Sequence, residues 1–113
     1  MSLITDDYMY EMLRTVKPCT VVILRRTRKR DEPGADQIVW EQGRRNFELR
    51  RDGMLCIACP AVGDESDVTG FYIFSTDVET TKKIMDEDPT VKAGIFAYEI
   101  HLVDSFPGVA LKK

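Results

Sequence analysis

Between residues 86 and 100, Asp-Glu-Asp-Pro-Thr-Val-Lys-Ala-Gly-Ile-Phe-Ala-Tyr-Glu-Ile, the hydrophobic period of the chain changes from that of a helix to that of a strand. Upstream, Val78, Thr81, Ile84 and Met85 repeat at helical spacing, which predicts a helix over 78–87 with Glu79, Lys82, Lys83 and Asp86 turned outward. Pro89 cannot donate into that helix and disfavours the α conformation at Asp88, so the helix must stop there. Gly94 permits a turn. From Phe96 the period is two, with Phe96, Tyr98, Ile100 and Leu102 on one side and Ala97, Glu99, His101 and Val103 on the other. A strand over 96–106 follows, and a carboxylate, Asp88, is fixed between a helix end and a sheet.

The remaining elements can be placed around this junction. Leu3, Ile4, Tyr8, Met9, Met12 and Leu13 predict an amphipathic helix or arm over 3–17, with acids early, bases late and Pro18 as its stop. Residues 19–27 alternate Val21 and Ile23 against Val22 and Leu24, a strand apolar on both faces. The basic run 25–30 and the Asp31-Glu32-Pro33-Gly34 turn read as a solvated loop. A helix over 36–51 ends at Asp52-Gly53, where glycine suits a left-handed C-terminal position. Its inward stripe is Val39, Gln42, Asn46 and Leu49, and two amides in such a stripe need partners. Strands over 54–61 and 68–76 flank a polar hairpin loop at 63–67. Thr76 with Glu79 forms a capping box for the next helix, and Asp77 is a competing cap.

The order is helix, then β-α-β-β-α-β, an α+β ferredoxin-like arrangement with an antiparallel four-stranded sheet. Residues 1–18 are read as an arm and 19–113 as one domain, since 113 residues suffice for a single core. Helices cover only one face of a sheet that is apolar on both. A second copy packed sheet to sheet, a dimeric α/β barrel, would bury the other face, as would the arm in part. A net charge of −3 disfavours nucleic acid as a partner, and no apolar run reaches membrane-spanning length. The acidic start lacks the bases of a secretory signal, and three cysteines, an odd number, fit reduced thiols, so a cytoplasmic location is expected.

The turn Arg51-Asp52-Gly53, the strand from Met54 to Cys59-Pro60, the hairpin with Gly70, the segment Asp88-Pro-Thr-Val-Lys-Ala-Gly94 and Tyr98-Glu99 together resemble the YCII-related (YciI-like) family over about residues 20–103. The resemblance implies a dimeric ferredoxin-like α/β barrel, in a family where most members lack an assigned reaction and some are credited with dehydrochlorination. It also implies a site pairing a helix histidine with the aspartate of the Asp-Pro motif. The aspartate matches Asp88. Counted back from Gly53, the histidine position holds Gln42, which cannot exchange a proton near neutral pH. The family's Gly-Pro at the end of the second strand is likewise changed, to Cys59-Pro60.

Asp88 is the candidate catalytic base, because a carboxylate at the negative end of a helix and near an apolar sheet is expected to hold its proton more tightly than usual. Gln42, Asn46, Arg45 and Tyr98 are candidate substrate-positioning residues, for a small organic ligand. His101 shares a strand side with Glu99, and an edge or interface histidine explains it without chemistry. Cys56 and Cys59 lie three apart on a strand, pointing to opposite faces, so they do not make a metal or redox pair. Asp64, Glu65 and Asp67 form a polar hairpin tip. No metal or cofactor is implied. Two functions fit: proton-transfer chemistry such as elimination or isomerisation with Asp88 as base, or a non-catalytic dimeric ligand-binding or accessory domain.

Overall fold

The computed structural model describes residues 3–63, 65–108 and 111. In chain order the elements are α1 (Asp6–Leu13), β1 (Lys17–Arg26), a 3-10 turn (Arg28–Asp31), α2 (Ala35–Arg51), β2 (Leu55–Pro60), β3 (Val68–Phe74), α3 (Val78–Asp86), α4 (Pro89–Lys92) and β4 (Phe96–Ser105). The strands form one sheet in the order β2-β3-β1-β4, and every neighbouring pair is antiparallel. This is the ferredoxin-like α+β architecture that the alternation of periods predicts.

The two central strands set the core. Thr20, Val22 and Leu24 of β1 lie opposite Phe74, Tyr72 and Gly70 of β3, all buried beneath the helices. Leu55, Met85, Ile95 and Phe96 complete the buried cluster, with Ile38, Val39 and Leu49 of α2 packed against it. The alternate residues face the other way. Val21, Ile23, Ile57 and Ile73 are only half-buried there and Phe71 is 46% exposed, because no element of the described chain covers that side.

Several boundaries differ from the sequence expectation, each for a local reason. Helix α1 begins after Thr5, whose side chain accepts from the Tyr8 N–H, and stops at Leu13 rather than reaching residue 17. Lys17 and Pro18 belong instead to β1, where Pro18 sits in the first turn of the ladder opposite Asp104 and its missing donor is tolerated. The basic run is not a loop throughout: Arg25 and Arg26 finish the strand and the rest forms the 3-10 turn. Strand β3 ends at Phe74, two residues early, and α3 is capped by Asp77, which accepts from the Thr80 N–H at 2.7 Å, not by Thr76. After Asp88 the chain does not simply turn. Pro89 occupies the first position of a further short helix, α4, closed by Gly94 at φ +73°.

Helix α1 stands away from this body. None of its residues is buried, the principal extents are 56 × 30 × 25 Å, and the radius of gyration is 16.8 Å, against roughly 13 Å for a compact chain of this length.

Candidate functional site

The helix-to-strand junction that begins at Asp86 holds a buried polar cluster between α2, α3 and α4. Asp88 is 1% exposed and serves as N-cap of α4. Its Oδ1 accepts from the Thr90 N–H at 2.8 Å and from the Thr90 hydroxyl at 2.5 Å. Its Oδ2 accepts from Gln42 Nε2 at 3.3 Å, and the same amide donates to Thr90 Oγ1 at 3.0 Å. The helical period of α2 brings Gln42 here: it sits on the inward stripe with Val39, Asn46 and Leu49, and α4 is what it meets. The expected setting of Asp88 at a helix C-terminus is therefore only half of its setting. Its own N–H does donate to Met85 O at the end of α3, but its carboxylate is turned into the first N–H groups of the next helix.

Arg45, a turn along α2, closes the cluster from the side. Its Nη2 donates to Ile84 O at 2.8 Å, satisfying a carbonyl in the last turn of α3. Its Nη1 is buried without a hydrogen-bond partner and lies 3.9 Å from Asp88 Oδ2. Tyr98 is not a partner of Asp88. Its hydroxyl donates to Asp86 Oδ1 at 2.6 Å, and burial together with that bond pushes the phenol up to about 12. Asn46 is half-buried on the same stripe, one turn beyond Gln42, and is not among the partners of Asp88. Gln42, Arg45 and Asp88 are thus brought together, while Asn46 and Tyr98 stand apart from them.

Two residues of this neighbourhood were not singled out from the sequence. Thr90 is fully buried and holds both Asp88 and Gln42. The signal for it was present, since Asp-Pro-Thr places a capping acceptor, a first-position proline and a donor in succession. Tyr72 is the second. Burial raises its phenol pKa, with the Asp88 carboxylate and then the Cys59 thiol adding to the shift, which puts its ring within electrostatic reach of the cluster from the sheet side.

The remaining candidates lie elsewhere. His101 Nε2 is 3.2 Å from Glu99 Oε2 on the uncovered face, and Arg25 binds Glu99 Oε1 at 2.6 Å and Asp67 Oδ1 at 2.7 Å. The Arg25 hydrogen bond, and then His101, hold the Glu99 carboxyl below its usual range. Cys56 and Cys59 are exposed free thiols. The hairpin-tip acids include Asp64, which lies outside the described residues. Among the described residues no group of three or more potential metal-binding side chains converges, and no helix is long and apolar enough to cross a membrane.

Three clefts stand out among the described residues, and none of these three is bordered by Asp88, Gln42 or Asn46. One of about 720 Å³ lies at the Lys17 end of the sheet, where Cys19, Ile57 and Ile73 meet Lys17, Arg50 and Phe106. A second, of about 470 Å³, runs along α2 and a third lies in the polar turn before it.

No family model matches the chain, and no curated protein matches it. Among solved structures it is similar to the 5-chloro-2-hydroxyhydroquinone dehydrochlorinase of Burkholderia phenoliruptrix, determined in complex with 2,5-dihydroxybenzoquinone. The TM-score is 0.52 at 16% identity, over 74% of this chain and 90% of that one. The likeness is one of fold.

Proposed function

We propose that this chain is a YCII-related protein that binds a small organic molecule as a homodimer and does not use Asp88 as a catalytic base. The observation that carries this reading is the state of the Asp88 carboxylate. A base needs an oxygen free to meet a substrate proton. Here Oδ1 already accepts twice from Thr90, Oδ2 accepts from Gln42 with Arg45 behind it, and the group is 1% exposed. Gln42, standing where the resembled family has a histidine, completes the cluster as a donor and cannot pass the proton on. The carboxylate's work is to tie α2 to α4.

The ligand is placed in the 720 Å³ cleft, which falls within the size range of small-molecule sites. Its apolar wall, formed by Cys19, Ile57 and Ile73, and the cations Lys17 and Arg50 at its margin suit a small aromatic or quinonoid anion. The homodimer is supported by the half-buried Val21, Ile23, Ile57 and Ile73 on the uncovered sheet face, together with the exposed Phe71. Pairing through that face brings a second copy close to the cleft.

A second reading, elimination or isomerisation with Asp88 as base, is favoured by one observation: residues at the two positions of the resembled dyad do meet, at 3.3 Å, with an unpartnered Arg45 nitrogen beside them. It requires one Asp88 oxygen to be released from Thr90 or Gln42 when substrate arrives.

The test is calorimetric binding of 2,5-dihydroxybenzoquinone and a set of substituted benzoates to wild type, Arg50→Ala and Asp88→Asn, with product analysis of 5-chloro-2-hydroxyhydroquinone alongside. Binding without turnover is expected, weakened roughly tenfold or more by Arg50→Ala through loss of a charge-assisted contact, and kept by Asp88→Asn. Wild-type turnover that Asp88→Asn abolishes at unchanged stability would establish the second reading. Solution mass tests the pairing: an assembly larger than the single 12.9 kDa chain is expected, made smaller by Ile73→Glu.

A further inference from the structure

Among the described residues, two further apolar surfaces are left uncovered and lie outside both the cluster and the sheet face. The first is the outward stripe of α2. Trp40, Gly43, Arg44, Phe47 and Arg51 recur at helical spacing on the side opposite Gln42 and Leu49, and they line the 470 Å³ groove with Glu48 at its edge. Trp40 is 67% exposed and Phe47 69% exposed, an unusual placement for two large aromatics on a helix whose buried face is already satisfied. The groove floor is Gly43, where an added Cβ would meet nothing within 4 Å, so an occupant has close access to the helix backbone.

The second is α1. Tyr8, Met9, Met12 and Leu13 form one face of this helix, and Tyr8, Met9 and Leu13 are each 46–53% exposed. An eight-residue helix has too few hydrogen bonds to be stable in water alone, and helices of this length depend on packing of their apolar face. Yet α1 is capped and formed while burying none of its residues. It is a formed element without the contact that would hold it.

We propose that α1 of one chain docks in the Trp40–Phe47 groove on α2 of a second copy. The charges match. Within its bounds α1 carries Asp6, Asp7 and Glu11 and no base, while the groove is lined by Glu48 and by Arg44 and Arg51, exposed arginines whose ion pairs with Glu41 and Asp52 are of the weak surface kind and leave donors for an acidic helix. The lengths match as well: eight residues of helix rise about 12 Å, within the roughly 16 Å between positions 40 and 51 of α2. A second copy, rather than the chain's own groove, is indicated by the position of α1, which buries none of its residues and makes no extensive contact with α2 of its own chain. Exchanged reciprocally, two arms fill two grooves, and this contact uses none of the sheet-face residues of the pairing proposed above.

Trp40 is the only tryptophan of the chain, so its fluorescence reads the groove directly. In the full-length protein, Trp40 emission is expected to lie to the blue of an exposed indole and to move red on dilution and in the arm variant Met9→Glu/Leu13→Glu. Trp40→Ala, which has no reporter but keeps its arm, is expected to weaken association on the order of thirtyfold, as loss of a central aromatic anchor does. Mixing that variant with the arm variant supplies an intact arm to an intact groove on different chains, and the emission is expected to return toward the blue. A blue emission that neither dilution nor mixing changes would show the arm seated on its own chain and overturn the proposal, as would an exposed-indole emission in wild type. Ile73→Glu separates the two interfaces: it is expected to break the sheet-face pair and leave the Trp40 response in place.

Discussion

Replacing Thr90 by valine tests whether the Asp88 cluster is structural. The two side chains have nearly the same shape, so the change removes a hydroxyl and little else. Two bonds go with it. Asp88 Oδ1 keeps only the N–H of residue 90, and Gln42 Nε2 keeps only its longer contact to Oδ2 at 3.3 Å. A hydrogen bond to a charged group contributes about 1.5–3 kcal/mol, and a neutral one about 1 kcal/mol, so the fully buried site should lose roughly 2–4 kcal/mol. For 113 residues the unfolding entropy is roughly 240 cal/mol/K, which converts 1 kcal/mol to about 4 °C and the expected loss to a Tm drop of about 8–16 °C. Thr90→Ser keeps both bonds and deletes a methyl group, so a loss of about 1 kcal/mol is expected. Calorimetric Tm and urea midpoints of the three proteins give the comparison. A valine variant within about 3 °C of wild type, or no worse than serine, would refute the idea that these hydrogen bonds hold α4 to α2.

Three further outcomes follow from the same geometry. Gly70→Ala would place a Cβ 2.7 Å from the Tyr72 hydroxyl and 2.8–2.9 Å from its ring carbons, and since that ring is 7% exposed it cannot swing clear; a loss of roughly 1–3 kcal/mol in chemical denaturation is expected, smaller in a Tyr72→Phe background. Tyr98 is held protonated up to about pH 12, above the value near 10 of an unfolded tyrosine, so its contribution to stability is whole below pH 10 and lost between the two values; Tyr98→Phe should delete an ionisation step near pH 12 from the ultraviolet titration, and persistence of that step would refute the assignment. Asp77 is held below the usual carboxyl range by the Thr80 N–H, so the cap stabilises α3 above the unfolded value near 4 and is lost as pH falls through the folded one; Asp77→Ala should lower Tm at neutral pH and flatten the acid limb of the stability curve, while Asp77→Asn keeps most of the cap.

Period changes carried most of the fold. The alternation in residues 19–27 and 96–103 and the helical stripes of 36–51 and 78–87 each specify an element by which faces they must bury, and the strand order follows from β-α-β-β-α-β. What period cannot show is a polar side chain serving two elements at once. Asp88 was legible as a helix stop, but its capping of α4 required seeing that Pro89 begins a helix as well as ending one. Gln42 was legible as an inward amide, whereas its partner Thr90, 48 residues away, was not. Arg45 was legible as a candidate substrate-positioning residue, whereas its bond to Ile84 O, made because α3 ends beside it, was not. Helix α1 was overextended for a related reason: its apolar pattern runs on past Leu13, but Lys17 is taken by the ladder with Ser105.

The identity of residue 42 has consequences beyond the cluster. A histidine there could exchange a proton with Asp88, so binding energy spent on the site could be repaid as chemistry; a glutamine offers fixed donors, and its best use is to hold Asp88 and Thr90 together. Once the cluster is closed in this way, the Asp88, Gln42 and Thr90 side chains are buried and turned toward one another. The more exposed apolar surfaces lie elsewhere: the Lys17–Arg50 cleft, the sheet face and the aromatic stripe of α2. These surfaces share one property, that each is large and apolar for a chain of this size while its polar groups lie at the margin. Such surfaces are suited to holding a flat ligand or another protein surface, and poorly suited to moving a proton.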